Sequence, residues 1–513
     1  MKSFSIVLIF FSAVFAVAAQ TNLDASAGRA MSLQDCIQES LQHNLDLQID
    51  RYNPQISLFA LQGAYSGYDP TLNISGEHEY NTGGTPTNGF VSTTLTSTNF
   101  VLFPRENGDK NVFASDVGGL LPWGLQYDFV ANVEQDYGTT YSGTNSLNSN
   151  FGRSTDGSAE VDLTQHLLKD FWIDSTKLNI RVDKNRLKYA GQVLRGQIIT
   201  TVTSVENAYY ELIYAQENVK VQQEALNLAQ TQLDQDNQRV QIGTLAQLDV
   251  QQDQAQVAQS QANSIAAQST LNMDQNTLKD LLTDAYVQWH DTNIQPTATL
   301  EAPMELFNLQ DSWSKGMTER PDLLQARLDV EKQGIQLKFD RNQLFPELDL
   351  VGTYGYAGAA RDYDGTFDQI GSGNQPYYAF GAKLSIPLAN ISARNTYKSD
   401  KVSEKQLLLT LKRLEQTIMV GIDNAMKQAQ SDFQSVAATR SARTYAEAAL
   451  DAEQKKYNVG KSTTFTVLQL QNTLTADRAA EIRALANYNE DLANLAQQEG
   501  STLERNGIDI EAK

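Results

Sequence analysis

Residues 459–463 (VGKST) look like the tail of a phosphate-binding loop, the clearest catalytic pattern in the chain. A complete loop needs a glycine at position 455, where Lys455 stands, and a β-strand before it. Because the segment follows a helical pattern instead, we do not predict a nucleotide-binding site there. The four histidines show no metal-ligand spacing, and no nucleophile motif appears with its partners: His43, His78, His166 and His290. We therefore predict a protein that is not an enzyme and holds no metal or cofactor.

Two glycine turns that match each other are the better candidates for a functional site. Residues 239–244 (RVQIGT) correspond to residues 456–461 (KYNVGK), and each segment ends one long helical pattern and precedes another. Glycine commonly supplies the left-handed residue that ends a helix, so a plain helix stop explains both turns as well. The sequence leaves the two interpretations open together.

Composition and charge exclude several classes of protein. The chain has 513 residues, 41% of them hydrophobic and 20% charged, which permits a large packed structure. Its formal net charge of −21 argues against a nucleic-acid partner, because such proteins carry a basic surface. The single cysteine, Cys36, excludes an internal disulfide.

The N-terminus predicts export from the cytoplasm. Lys2 precedes an apolar run over 4–17 and then small residues, so we predict a signal peptide over 1–19. No cysteine follows the cleavage site, which argues against a lipid anchor. After residue 20 no stretch approaches the roughly 20 apolar residues of a membrane-spanning helix. Any insertion into a membrane must therefore use strands.

Two long segments are predicted to be helices. No proline occurs between Pro122 and Pro296 or after Pro387, and proline breaks helix interiors. From Val205 to Val240, nine of eleven positions spaced by three or four residues are apolar, which is the seam of a coiled coil. A weaker copy follows 217 residues later. We predict helices of roughly 100 Å, at 1.5 Å per residue, over 175–242 and 393–459.

Two glycine-rich blocks, 70–168 and 346–387, are predicted to form strands. From Trp123 to Tyr137 apolar residues alternate with polar ones, and the second block alternates in the same way. This period is typical of outer-membrane barrel strands, and equally of a soluble sheet with one wet face. The strands alone leave both alternatives open.

The matched turns belong to an internal duplication. Residues 32–35 also match 308–311, and short helices of roughly 55 Å are predicted at four places, 32–67, 245–283, 308–344 and 463–498. We predict two structural repeats, over 20–283 and 307–499. A linker over 284–306 joins them, and an irregular tail covers 500–513. One copy has too few strands to close a cylinder, so a rotationally symmetric oligomer is implied.

The chain resembles the TolC-like outer-membrane efflux protein family in four features. These are the signal peptide, the two-fold repeat, the strand at 163–168 (LTQHLL) that enters a long helix, and the two glycine turns. The resemblance implies a mixed α and β membrane protein. Its homotrimer would share one transmembrane β-barrel and a long antiparallel coiled-coil α-helical barrel, which forms a periplasmic tunnel. Two spanning strands per repeat, or twelve in the trimer, are the family expectation. An additional hairpin turning at 121–124 is the alternative.

The function implied by the resemblance is that of an exit duct in the outer membrane. Its partners would be outer-membrane lipid, a periplasmic adaptor protein and an inner-membrane pump, in a tripartite efflux system. Type I protein secretion is an alternative with the same architecture. A secreted coiled-coil structural protein or adhesin stalk is a third possibility, which explains the helices and the acidity but not the duplicated strand blocks.

The resemblance also assigns roles to residues near the turns. Asp249 and Tyr457 match residues that hold the tunnel entrance shut, although Asp249 could simply favour a helix start by about 0.3–1 kcal/mol and Tyr457 could simply pack. Ser462 replaces the family's arginine, and Thr466 and Gln469 replace its aspartates. We therefore expect neither a salt-bridged lock nor an acidic ring at the tunnel entrance. Closure by Asp249 alone is a hypothesis. The adaptor-docking candidates are Ile242, Gly243, Thr244, Val459, Gly460 and Lys461.

Overall fold

The structure is a computed structural model that describes residues 28–82, 88–91, 99–102, 105–142 and 147–509. The predicted signal peptide lies outside these ranges. The helices are α1 Leu33–His43, α2 Leu45–Asp50, α3 Tyr52–Ala64, α4 Ser175–Gln241, α5 Gln247–Leu282, α6 Tyr286–Trp289, α7 Leu309–Glu319, α8 Pro321–Asn342, α9 Tyr363–Ser372, α10 Ile391–Asn458, α11 Thr464–Glu499 and α12 Thr502–Arg505. In the described part of the chain, none of these helices has the length and apolar character needed to cross a membrane.

The strands are β1 Arg29–Met31, β2 Thr71–Thr82, β3 Asn88–Val91, β4 Asn99–Leu102, β5 Arg105–Leu120, β6 Leu125–Ser142, β7 Leu147–His166, β8 Ile294–Pro296, β9 Glu347–Ala360 and β10 Pro376–Ser385. Six of them form one antiparallel sheet in the order β10-β9-β7-β6-β5-β2. Strands β3 and β4 form a separate pair, and β1 pairs in parallel with β8.

Four strands of the large sheet come from the first block and two from the second. The second block thus has the two strands of the family expectation, whereas the first block has the alternative, an additional hairpin formed by β5 and β6. Its turn is tight: the Gly124 amide donates to the Leu121 carbonyl at 2.8 Å, and Gly124 has a φ of +88°. Pro122 at the first corner and glycine in the left-handed position are typical of a three-residue hairpin loop.

The register gives the sheet two unlike faces. One face carries the large apolar side chains Leu72, Ile74, Phe113, Val117, Tyr127, Phe129, Leu163, Leu350, Tyr354, Tyr378, Phe380 and Leu384. The other face carries eleven carboxylates against two lysines among the side chains that the structure describes: Glu77, Glu79, Asp116, Asp128, Glu134, Asp136, Asp156, Glu160, Asp162, Glu347 and Asp349 against Lys110 and Lys383. We call them the apolar face and the acidic face.

Helix α9 lies on the apolar face, between β9 and β10 in the chain. The Thr366 hydroxyl donates to the Thr155 carbonyl at 2.8 Å, and Thr366 is fully buried. A Cβ atom at Gly358 would lie 2.5 Å from the Thr366 carbonyl oxygen, and one at Gly157 would lie 3.1 Å from the Thr366 methyl group. Glycine at these two positions is what lets the helix approach the sheet.

Two of the predicted short helices are interrupted. The helix predicted over 32–67 is α1, α2, α3 and a 3₁₀ turn at Tyr65–Tyr68, because the Asn44 side chain accepts from the Leu47 amide at 3.0 Å and starts a new helix. The helix predicted over 308–344 breaks before Pro321, which lacks an amide proton and begins α8. Both predictions of one continuous helix were wrong.

The linker and the tail contain regular structure. Ile294, in β8, is fully buried beside β1. Part of the tail that we predicted to be irregular, Thr502–Arg505, forms α12, where Thr502 and Leu503 are buried; the Asn506 side-chain amide donates to Glu206 at 3.1 Å. Apolar burial of Leu503 fixes a segment whose sequence has no long periodic pattern, which corrects the prediction.

The chain forms two compact units, and each takes parts of both repeats. Among the described residues, unit 1 contains those within 28–48, 198–312 and 422–509, and unit 2 contains those within 49–197 and 313–421. Unit 1 holds the glycine turns and a core cluster of Ala429, Val436, Ala484, Tyr488 and Leu492. Unit 2 holds the large sheet together with the helix segments that join it.

Candidate functional site at the helix turns

The two glycine turns have the same backbone geometry. At the first turn the Gly243 amide donates to the Val240 carbonyl at 2.9 Å and the Thr244 amide to the Arg239 carbonyl at 2.9 Å. At the second turn the Gly460 and Lys461 amides bond in the same pattern, at 3.0 and 2.9 Å. These bonds define the Schellman motif, which satisfies the last carbonyls of a helix and needs a left-handed residue. The φ angles of +78° and +74° at the two glycines meet that need.

The predicted docking residues are all on the exposed loops of these turns. Ile242 is 74% exposed and Val459 is 68% exposed, so each turn presents a large apolar side chain to solvent. No atom lies within 4 Å of a Cβ built at either glycine, so backbone conformation alone requires glycine there. Each turn therefore presents an exposed apolar group on a hydrogen-bonded helix end, which suits docking.

Tyr457 is buried and connects the ends of the two long helices. Its hydroxyl donates to Asp236 Oδ1 at 2.7 Å and lies 3.0 Å from Thr464 Oγ1. The Arg239 guanidinium lies 4.4 Å from the centre of the Tyr457 ring and donates to Asn458 at 3.0 Å. Burial raises the pKa of Tyr457 to about 12, and the hydrogen bond to Asp236 contributes. The hydroxyl therefore remains a donor at neutral pH.

Asp249 lies in the first turn of α5 and is half-buried. It is not the partner of Tyr457, whose hydroxyl instead bonds to Asp236. One turn further along α5, Asp253 is fully buried beside Asp236. Burial raises the pKa of Asp253 to about 7, with further contributions from its hydrogen bond to Asp236 and from the negative charges of Asp236 and Asp249.

The two buried aspartates need a proton between them. Neither oxygen of Asp253 receives a hydrogen bond from a donor group, and two ionised carboxylates cannot bond to each other. A proton on Asp253 supplies that donor, whereas Asp236 already accepts from Tyr457 and from Gln232 at 2.8 Å. The arrangement is a proton-dependent contact between α4 and α5, next to the contact between α4 and α10.

A family model described as outer membrane efflux protein matches residues 132–283 and 314–501, which is more than half of the chain. The chain belongs to the outer membrane efflux protein family. It is located in the outer membrane and acts in efflux transport, as this family does. The family consists of transport ducts.

Known members of the family are distant in sequence. Outer membrane protein TolC of Salmonella enteritidis is 23% identical over 351 residues, covering 67% of each chain. TolC of Escherichia coli K12 is 24% identical over 300 residues, covering 56% of this chain and 59% of that protein. The pyoverdine export outer membrane protein OpmQ of Pseudomonas aeruginosa is 24% identical over 352 residues, covering 67% of this chain and 70% of that protein.

Solved structures show the same fold at low identity. The outer-membrane channel OprN aligns over 91% of this chain and 90% of its own, with a TM-score of 0.67 and 14% identity. The CmeC outer membrane channel of Campylobacter jejuni aligns over 94% and 90%, with a TM-score of 0.64 and 12% identity. This protein therefore has the helix-and-sheet fold of outer-membrane efflux channels.

The positions that depart from the family pattern have other partners here. The Ser462 hydroxyl donates to Glu453, which also pairs with Lys456 at 2.9 Å, so Ser462 ties the second turn back to α10. The amide of Thr466 donates to the Thr463 hydroxyl, which caps α11. Gln469 lines a groove between α5 and α11 in which Phe465 is 65% exposed.

Sequence reasoning missed Asp236, Arg239 and Asp253 as members of this site. Asp236 carried a signal, since it is one of two polar residues at the seam positions of α4. Asp253 carried a weaker one, four residues after Asp249 and hence on the same helix face. Among the described residues, no three His, Cys, Asp or Glu side chains are grouped to hold a metal ion. Each histidine lies within 3.7 Å of one aspartate.

Proposed function

We propose that three copies of this chain assemble around a common axis into the exit duct of a tripartite efflux pump. The six-stranded sheets form one shared transmembrane β-barrel, and the helices form a long antiparallel coiled-coil tunnel in the periplasm. The observation that carries this proposal is the sheet itself, which has an apolar face, an acidic face and two edges, β2 and β10, that pair on one side only within the described residues.

Such a sheet is stable in a bilayer only if its edges are closed. Each unsatisfied backbone group costs several kcal/mol in hydrocarbon, so open edges do not occur there. The six strands have 10 to 20 residues, so each reaches or exceeds the roughly 9–11 residues that a tilted spanning strand needs. The part of the apolar face that α9 leaves uncovered then meets lipid and the acidic face lines water, as in barrels of the outer membrane.

The helix turns are the end of the duct that receives substrate. A periplasmic adaptor docks on the exposed apolar surface of Ile242 and Val459 and couples the duct to an inner-membrane pump. The Tyr457–Asp236 bond and the Asp253–Asp236 pair hold the helix ends closed until docking separates them. In this scheme Asp249 acts through its charge on Asp253, and type I protein secretion uses the same architecture with another inner-membrane partner.

Oxidative cross-linking tests the trimer. In a Cys36→Ala background, Thr71→Cys on β2 is combined with one cysteine at a time along β10, from Lys383 to Ser385. We expect a covalent trimer from outer membranes for at least one pair, and none for Thr71→Cys alone. Monomer in every pair, or recovery of the protein from the culture medium, contradicts the proposal and favours the secreted stalk.

Copurification tests the docking site. Ile242→Asp and Val459→Asp place charges on the two turns, and we expect each to reduce recovery of the adaptor at least tenfold without loss of trimer. Ile265→Asp is the matched control, because Ile265 is 61% exposed on α5 away from the turns. Unchanged adaptor recovery in both turn variants contradicts docking there. The inner-membrane protein that copurifies distinguishes a pump from a type I secretion system.

A further inference from the structure

The hairpin formed by β5 and β6 is the part of the sheet that no helix continues. The other four strands join helices directly: α3 leads into β2, β7 into α4, α8 into β9, and β10 into α10. We call the end of the sheet where these joints lie the helix-proximal end. The hairpin turn at Leu121–Gly124 lies at this end, so the hairpin adds two strands to the sheet without adding a helix.

The hairpin is a continuous part of the sheet. Its register with β2 runs from Thr71↔Gly118 to Thr82↔Asn107, and its register with β7 begins at Leu125↔Gln165. Its side chains follow the alternation of the neighbouring strands: Phe113 and Phe129 are 53% and 52% exposed on the apolar face. Strands that share both register and alternation with spanning strands belong to the same wall.

The base of the hairpin is fixed by the segment between β7 and α4. In this segment the Asp170 amide donates to Asn342 at 2.6 Å, below β9. The Phe171 carbonyl lies 3.8 Å from a Cβ built at Gly124, and Asp174 caps α4 by accepting from the Lys177 amide at 2.7 Å. The segment therefore passes beneath the hairpin turn before α4 begins.

The helices below the sheet follow the same lateral order as the strands. The turn after α3 meets α4 where a Cβ at Gly67 would contact Thr176. Helices α4 and α8 meet where Asn185 donates to the Leu328 carbonyl at 3.1 Å, and α8 and α10 meet where Gln333 donates to the Asp400 carbonyl at 3.1 Å. The order α3-α4-α8-α10 matches β2-β7-β9-β10.

The estimated width of the six-stranded sheet matches that of the helix layer that joins it. Four helices packed 8–10 Å apart span about 32–40 Å of wall. Six strands spaced by about 4.8 Å and tilted by about 40° span about 38 Å, whereas four such strands span about 25 Å.

We propose that the β5–β6 hairpin widens the membrane barrel to eighteen strands in the trimer. This inference rests on the proposed function, because the trimer supplies the closure. An eighteen-stranded barrel at this spacing and tilt is about 36 Å across between backbones, against about 24 Å for twelve strands. With side chains of about 5 Å on the inner face, the open width rises from about 14 to about 26 Å, so the duct passes bulkier solutes.

Site-directed spin labelling tests whether the hairpin lies in the wall. In the Cys36→Ala background, single labels at Val117 and Asp116 on β5 are compared with labels at Val161 and Glu160, which occupy the same register rows on β7. We expect the labels at Val117 and Val161 to be reached by oxygen dissolved in lipid, and those at Asp116 and Glu160 by a water-soluble nickel chelate. Chelate access to both hairpin labels overturns the proposal.

Electron microscopy of the intact protein in lipid nanodiscs measures the barrel directly. We expect threefold particles whose barrel is about 36 Å wide, which is 1.5 times the width of a twelve-stranded barrel. Threefold particles with a barrel of about 24 Å overturn the eighteen-strand proposal and leave the trimeric duct standing. Particles without threefold symmetry overturn the proposed function and this inference with it.

Discussion

The buried acid pair at the helix turns makes local stability depend on pH. Asp253 keeps its proton up to about pH 7 in the closed cluster, whereas a free aspartate loses it near pH 3.8. Between these values the opened state releases a proton that the closed state retains, so opening becomes easier as the pH rises. The stabilisation is full below the pKa of the free aspartate and is lost progressively as the pH rises towards 7.

The Asp253→Asn substitution removes this dependence. An asparagine amide donates to Asp236 at every pH and carries no charge, so the contact between α4 and α5 is retained. For the wild type, proton linkage predicts that the free energy favouring the closed state falls by about 2 kcal/mol between pH 5 and pH 7. The ratio of closed to open states then falls roughly thirty- to fifty-fold. For Asp253→Asn we expect a change of less than about twofold.

Hydrogen exchange measured by mass spectrometry provides the assay. Peptides covering 232–258 and 452–468 report opening of the cluster, after correction for the intrinsic pH dependence of amide exchange. Asp234→Asn is the matched control, because Asp234 is exposed on α4 two residues from Asp236. Corrected protection that is flat from pH 5 to pH 7 in the wild type, or a slope that survives in Asp253→Asn, refutes the reasoning.

Three further predictions follow from the turns and the sheet. Gly460→Ala forces a residue with a side chain into a left-handed conformation and destabilises the second turn by about 1–2 kcal/mol. Gly334→Ala, in the interior of α8, instead stabilises its helix by about 0.5–1 kcal/mol. Shifts of the thermal unfolding temperature in opposite directions check this pair. Tyr457→Phe leaves buried Asp236 without one donor and lowers the free energy that holds the turns closed by about 1–3 kcal/mol. We expect faster hydrogen exchange at the turns and a higher leak conductance in planar bilayers. Unchanged values count against closure by this contact. Neutralising the acidic face with Asp128→Asn and Glu134→Gln reduces the preference for cations, read as a smaller zero-current potential in a salt gradient.

The long helices could be predicted from sequence because their signals are local. Helix α4 spans Ser175–Gln241 and α10 spans Ile391–Asn458, within two residues of the bounds expected from proline gaps and glycine stops. The break at Asn44 was missed, because a side chain that starts a new helix interrupts the pattern without proline or glycine. Pro321 is a start signal that the sequence does show, because proline is favoured at the first position of a helix.

The sheet and the acid cluster depend on contacts between distant parts of the chain. Alternation predicts that residues 105–142 form strands, but it does not say which strands are neighbours, so the hairpin remained one alternative. Tyr457 and Asp236 are 221 residues apart, and their bond depends on the helix pairing that brings α4 beside α10. No spacing within one element could reveal that contact, although polar Asp236 in an apolar seam marked one of its ends.

The two open edges of the sheet have a genetic consequence. If three chains close one barrel, a copy with a damaged edge spoils every assembly that it enters. A cell that makes normal and edge-damaged copies in equal amounts retains only about one duct in eight with three normal chains. Lesions on β2 or β10 are therefore expected to be dominant, whereas loss of the whole chain from one of two gene copies would only halve the number of ducts.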